Sequence, residues 1–423
     1  MSPLWNYSTG AIVSASPAIV HGVVYIGSWN GYEYALNATT GQLVWKSFLG
    51  TDPYGVRPIG IASSATVQNG LVYVGGGNSS WYALHVSNGS VAWNVTTGNI
   101  SQGYYNWASP LIAKGYAYIG IASRGDAPLV YAGLLQVSLT SHHLVHFFNT
   151  TANGTIGASI WTTPAFDSST NTVLVTTGNG GPNGSIYGDS VVALNATSLH
   201  LTGNWSIPLN QSISDGDFGA TPILYKTGPG IRMVLAADKN GILYAWNESR
   251  LSSGPVWERR IALPSTNEPL PNLGPASHGP GRLFVGTSRT QLLGVNYSGS
   301  VQSLAPQTGA LLWERTETSG PVLGAPVYAN GIVAVGAGNT FQILNATSGH
   351  LLYAFHTGKG TFEGPAAVSH GEIVIGATNG LVYAFGVASC TPEVEPHGIL
   401  SSSPANAAAA ASLRFGPTVR TEP

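Results

Sequence analysis

Residues 16–45 read SPAIVHGVVYIGSWNGYEYALNATTGQLVW. The stretch divides into a short apolar run, VVYIGS, a Gly/Asn turn, YEYALNA, a TG turn and a last strand ending on Trp45. Short runs rich in Val, Ile and Tyr between Gly/Asn turns read as strands joined by hairpins. The same unit returns over residues 64–93, with NGLVYVGGG and WYALHVSNGSVAW. Further copies open at SPLIAKGYAYIGIAS (109–123), TPAFD (163–167) and TPILY (221–225). A sixth contains RLFVGTS and LLWE, and a seventh is APVYANGIVAVGAGNTFQILNATSGHLLYAF (325–355).

The eighth copy, PAAVSHGEIVIGATNGLVYAFGV (365–387), stops after three strands. PLWNYSTG (3–10) resembles the closing strand of the other units, as in WNVTTG (93–98). Self-similarity at this period marks a repeat architecture. Four strands per unit, with the N-terminus completing the last unit, predict an all-β fold: a single eight-bladed β-propeller of four-stranded blades, closed by the N-terminal strand. Closure removes the edges an open sheet would expose. The expected domain is 1–387. Residues 388–423, with SSSPANAAAAAS, are low-complexity and expected to be a disordered tail.

Of 423 residues, 43% are hydrophobic and 8% charged, with a net charge of −2. No basic run is present, which argues against a nucleic-acid partner. No apolar stretch is long enough for a membrane-spanning helix. MSPLWNYSTG does not read as a signal peptide. One cysteine, Cys390, allows neither a disulfide framework nor a CxxCH haem attachment within the chain. Fifteen Asn-x-Ser/Thr sequons, among them Asn37, Asn94, Asn195 and Asn345, together with the low charge, suit an exported and glycosylated protein. Few charges also suit a very acidic medium, where carboxylates protonate and a Lys-rich surface would repel itself.

In this charge-poor chain SDGDFGATP (214–222) places two aspartates around one glycine, just before an apolar run. Asp215 and Asp217 read either as turn formers or as site residues. The histidines, including His142, His143 and His146, show no metal spacing.

The ALxAxTGxxxW ending resembles the pyrroloquinoline quinone (PQQ) repeat, shared by quinoprotein alcohol dehydrogenases and non-enzymatic propellers such as BamB. The repeat alone does not fix function. Other segments extend the resemblance. GASIWTTPAFDSSTNTVLVTTGNG (157–180) is similar to the family's fourth blade, which implies Trp161 as the floor beneath the cofactor ring and Asn179 as a calcium ligand. In SDGDFGATP the resemblance implies Asp217 as catalytic base and metal ligand. In ADKNGILYAW (237–246) it implies Lys239 at the quinone oxygens. IASRGDAPLV (121–130) implies Ser123 as a cofactor contact and Asp126 as a calcium ligand where the family usually has Glu. An aromatic floor suits a planar quinone, oxygen ligands suit a hard cation, and a carboxylate can accept an alcohol proton as hydride leaves.

The chain also departs from the enzymes. IASSAT (61–66) lacks the vicinal cysteines found over the cofactor, Asp126 is one methylene shorter than Glu, and Gly219 stands where lanthanide-using members carry Asp. Calcium is therefore the implied metal. TDPYGVRP (51–58) and PSTNEPLPNLGP (264–275) are candidate roofs. Two function classes follow. One is a PQQ- and calcium-dependent dehydrogenase without haem, oxidising an alcohol or sugar and passing electrons to an external acceptor. The other is a non-catalytic scaffold, surface or ligand-binding propeller with protein partners. A glycan-binding module rests only on exposure of Tyr104, Tyr105 and Trp107.

Overall fold

The computed structural model describes residues 1–54, 57–151, 154–180, 185–264 and 274–386. The described residues fall within the unit Met1–Val387. The expected tail, Cys390 and most of the second candidate roof lie outside them.

Eight antiparallel sheets follow one another along the chain, each built on four strands, and blade 3 adds the short strand Tyr104–Tyr105 to its second strand. In blades 1 to 7 four successive strands pair in chain order, as in Ala18–Val20, Val23–Gly27, Tyr32–Asn37 and Leu43–Phe48 of blade 1. Blade 8 takes Ala367–Ser369, Glu372–Gly376 and Leu381–Gly386 from the C-terminal end and Ser2–Ser8 from the N-terminus. Ser2 pairs with Gly386 and Ser8 with Leu381. The first strand of blade 8 packs beside that of blade 1, so the ring closes. This is the eight-bladed propeller read from the repeat.

Each seam between blades holds its own apolar cluster. Val374, Val382 and Ala384 of blade 8 meet Val24, Ile26 and Leu36 of blade 1. Tyr25 and Trp45 of blade 1 meet Val72, Val74 and Leu84 of blade 2. Alternate residues of each strand therefore serve opposite seams, as the period of two requires.

The repeat signature has a physical basis. The indole N–H of Trp45 donates to Val86 O (2.8 Å) and that of Trp313 to Ala346 O (3.0 Å), each in the next blade. The ring then covers the TG-turn glycine of that blade. A Cβ on Gly89 would lie 2.5 Å from Trp45, and one on Gly349 would lie 2.6 Å from Trp313. These glycines also sit at φ near +70°, so both backbone and space demand glycine. Trp5 docks in the same way on Gly41, with its N–H on Ala38 O (2.6 Å). The N-terminal strand thus carries the tryptophan that blade 8 lacks.

Asn37, Asn195 and Asn345 turn their Oδ1 atoms onto the backbone amides of the TG-type turns. These sequons therefore serve the fold as turn caps. A second device recurs at the opposite turn. Asn30, Asn78, Asn240 and Asn379 each donate to the tyrosine four residues on, at 2.7 to 2.9 Å. Just before each of these asparagines stands the residue that the turn presents at the blade end: Trp29, Gly77, Lys239 and Thr378.

An arc of hydroxyls ties the innermost strands together. Ser16 N–H donates to Ser64 Oγ (2.8 Å), Ser64 to Ser109 (2.9 Å), Ser109 to Thr163 (3.2 Å) and Thr163 to Thr221 (3.2 Å). The arc runs over blades 1 to 5 and holds the loops carrying Trp107, Trp161 and Asp217 in fixed relation. His142, His143 and His146 are exposed, and His142 stacks on Trp93 at 4.5 Å.

Candidate functional site

The turns of blades 3, 4 and 5 bring one cluster together at the end of the ring where Lys239 stands. Asp217, on the loop entering blade 5, is 7% exposed. Its Oδ1 accepts the backbone N–H of Asn179 at 2.7 Å, and its Oδ2 is ion-paired with Lys239. Lys239 also reaches Asp215 Oδ2 at 3.1 Å, and its own N–H donates to Asp217 O at 3.0 Å. The Asn179 amide donates to Asp126 Oδ1 and to Asp215 Oδ1, both at 3.4 Å. Trp161 is half-buried, and Lys239 Nζ lies 6.0 Å from its ring centroid. The residues named by the resemblance on blades 4 and 5 are therefore neighbours, with Asp126 of blade 3 joined to them through Asn179.

Ser123 is buried and its hydroxyl is engaged locally. It accepts Val130 N–H at 3.1 Å and pairs with Ser159 Oγ at 3.1 Å, closing the loop that carries Asp126. Arg124 anchors the same loop to Asp52 at 3.4 Å. Tyr105 is 1% exposed and donates its hydroxyl to Gly60 O at 2.5 Å. Trp107 N–H donates to Ser123 O. The exposure on which a glycan platform rested is thus corrected, because Tyr105 packs inward to satisfy a backbone carbonyl.

A groove of about 470 Å³ opens beside the cluster, lined by Asp126, Asn179, Asp189, Asp215 and the 212–216 loop. Burial pushes Asp217 up to about 7, against the pull of Lys239 and the Asn179 N–H. Burial and the charge of Asp215 raise Asp126. Burial works against the Lys239 charge, but Asp217 and Asp215 outweigh it and hold the ammonium above its ordinary range. Behind the cluster, burial raises Asp189 and drives Asp238 well above the carboxylate range. Sequence reasoning missed Asp189 and Asp238. The signal available was Asp238 itself, a charge inside an apolar run immediately before Lys239.

The fit to PQQ and calcium is uneven. Trp161 and Lys239 provide a floor and a cation. However, both Asp217 oxygens are already used, and Asn179 turns its N–H groups toward Asp126 and Asp215. Among the described residues no group of three or more His, Cys, Asp or Glu is arranged to hold a metal. As placed, Asp215 and Asp217 are engaged by Lys239 and Asp126 by Asn179, and Trp161 with Lys239 are the features that suit a quinone.

The fold and its repeat define a PQQ-repeat β-propeller. The chain belongs to the PQQ-repeat family described as outer membrane protein assembly factor BamB, matched over residues 2–179 and 239–389. Among curated proteins it is 26% identical over 349 residues to tetrathionate hydrolase from Acidithiobacillus ferrooxidans, covering 80% of this chain and 57% of that one. The chain thus spans little more than half of that relative. Similar solved structures include quinohemoprotein alcohol dehydrogenase from Comamonas testosteroni (16% identity, 95% of this chain and 78% of that chain, TM-score 0.75). A europium-containing methanol dehydrogenase is also similar (14%, 89% and 85%, 0.74), as is BamB from Moraxella catarrhalis (16%, 92% and 98%, 0.61). At these identities the structures attest the fold alone. No helix among the described residues is long and apolar enough to cross a membrane.

Proposed function

We propose that the protein is an exported hydrolase that works in acid and cleaves a sulfur–sulfur bond in a polythionate dianion, with Asp217 as general acid and base. The observation that carries this reading is Asp217 itself, a buried carboxyl held by Lys239 and the Asn179 N–H and protonated up to about pH 7. A group poised in this way can give and take a proton in one cycle. The substrate class comes from the tetrathionate hydrolase relative. In acid the raised carboxyls of the groove are neutral and Lys239 stays charged, so the site turns cationic toward a dianion.

The net step adds one water. The water oxygen bonds to a sulfonate sulfur, the adjacent sulfur–sulfur bond breaks, and Asp217 gives its proton to the departing sulfur. The Asp217 carboxylate then takes a proton from the attacking water. The test is hydrolysis of tetrathionate in acid by the purified protein and by Asp217→Asn. A wild type without turnover would overturn the reading.

A second reading, a PQQ-dependent alcohol or sugar dehydrogenase, is favoured by one observation, the half-buried Trp161 beside Lys239. Titration with PQQ and calcium, followed by the quinone absorbance, tests it. Failure of both assays would leave a scaffold with protein partners.

A further inference from the structure

Two neighbouring seams carry the same pair of polar residues at the same register, with one difference. Arg315 stands two residues after Trp313, and Arg259 two after Trp257. Gln342 stands four residues before Ala346, whose carbonyl receives the Trp313 indole N–H. Gln302 stands four before Pro306, whose carbonyl receives that of Trp257. Between blades 6 and 7 an acid completes the set. Arg315 Nε donates to Gln342 Oε1 at 3.2 Å and to Glu317 Oε1 at 3.1 Å, and the Gln342 amide donates to Glu317 Oε2 at 2.7 Å. Between blades 5 and 6 the place of Glu317, four residues after the tryptophan, is held by Ile261.

Without the acid the set stays open. Arg259 Nε is buried with no acceptor, and Gln302 Oε1 is buried with no donor. Gln302 is 3% exposed. Its amide is fixed this way round, because its N–H groups donate to Ile261 O at 2.8 Å and to Glu314 Oε1 at 3.0 Å. Turning it over would set its oxygen against two acceptors. Both residues line a groove of about 310 Å³, with Glu314, Leu263, Leu292 and Leu311 among its walls. This groove shares no lining residue with the one beside Asp217. Buried polar groups are as a rule hydrogen-bonded, so two orphans at one groove point to a ligand that answers both.

We propose that the groove between blades 5 and 6 is a second binding site, which takes a neutral sugar or polyol with one hydroxyl between Arg259 and Gln302. The hydroxyl oxygen accepts the Arg259 Nε–H and its hydrogen goes to Gln302 Oε1, so one group satisfies both. An oxyanion would answer Arg259 alone, bring a second acceptor to Gln302 Oε1 and meet Glu314. The three leucines offer an apolar wall to the C–H face of a sugar ring, and the volume lies at the small end of ligand pockets. The site is independent of the polythionate reading, since none of its residues belongs to the Asp217 cluster.

The test is saturation-transfer NMR of the full chain with the methyl glycosides of glucose, mannose and galactose, and with sulfate as the rival ligand. Wild type should bind at least one glycoside. Ile261→Glu supplies the acid of the neighbouring seam and should abolish binding. Gln302→Leu removes the acceptor and should weaken binding about tenfold. Circular dichroism checks both folds, and Gln302→Leu decides the matter if Ile261→Glu does not fold. No glycoside bound at about 50 mM, well above a millimolar Kd, would mean that water alone bridges the pair and would overturn the site. Glycoside binding unchanged in Gln302→Leu would place the sugar elsewhere. Sulfate bound equally by wild type and Gln302→Leu, with no glycoside bound, would make the groove an oxyanion site and overturn the hydroxyl class.

Discussion

The backbone N–H of Asn179 and the Oδ1 of Asp217 lie 2.7 Å apart and join the turns of blades 4 and 5. Because the donor is main chain, the bond depends on the shape of the 177–179 turn and not on the asparagine side chain. A Cβ on Gly178 would overlap Asp217 Oδ1. Gly178→Ala should therefore displace the carboxyl and cost more activity than Asn179→Ala, which keeps the N–H. A factor of about 100 is expected for loss of a positioned acid–base group. Steady-state rates of the two variants check the order, and a more damaging Asn179→Ala would refute it.

Lys239 is the cation of the cluster, paired with both Asp215 and Asp217. Lys239→Met keeps the stem and removes the charge. Two effects should follow. KM for a dianion rises by about tenfold or more at pH 4, since the groove loses its positive centre. The alkaline limb of the pH profile moves upward, because Lys239 pulls the Asp217 carboxyl down from where burial alone would put it. A KM unchanged by the substitution would place the anion elsewhere.

Stability should rise as pH falls from 7 toward 4. Burial raises Asp217 to about 7 and also raises Asp126, Asp189, Asp238, Glu33, Glu248, Glu317 and Glu363. Between an unfolded carboxyl near 4 and these raised values, the folded chain binds more protons than the unfolded one. Stability then falls with rising pH across that window and is greatest below it. Asp167, held down by Ser169 and Arg232 despite its burial, and His278, lowered by burial, oppose the trend, but they stand against eight groups of the other sign. Calorimetric midpoints at pH 4, 5, 6 and 7 should decline in that order. A maximum near neutrality would contradict the assignment.

The blade count and the closure at Trp5 were legible because both rest on local chemistry that repeats. At four seams an indole lies over a turn glycine (Trp5, Trp45, Trp257 and Trp313), and the turns after Asn37, Asn195 and Asn345 carry an asparagine cap, so the pattern recurs along the chain. The convergence of Asp217, Lys239 and Asn179 was legible only through family resemblance, since no spacing links residues 179, 217 and 239. Asp238 was not legible because an acid at the end of a strand-like run looks the same as a turn residue until the blade closes over it and leaves it fully buried. Tyr105 was misread because an aromatic pair in a loop gives no sign of which ring turns inward, and here a backbone carbonyl at Gly60 decides it.

Closure of the ring rests on one strand, and Trp5 is its anchor. The ring covers Gly41, the N–H reaches Ala38 O at 2.6 Å, and the strand pairs with Leu381–Gly386. Trp5→Ala removes the indole from a half-buried position and should cost about 2 kcal/mol, below the ~3–5 kcal/mol of a fully buried tryptophan. Gly41→Val should be comparably damaging from the other side, since its Cβ would fall 2.6 Å from the Trp5 ring at a φ of +69°. Trp93→Ala offers a control at a seam where His142 replaces the glycine. Both tryptophan variants should lose stability in denaturant unfolding, but hydrogen exchange should separate them. Only Trp5→Ala should expose the amides of Leu381–Gly386, because only there does one docked side chain hold the two ends of the ring together. Equal protection of that strand in both variants would mean that main-chain pairing alone closes the propeller.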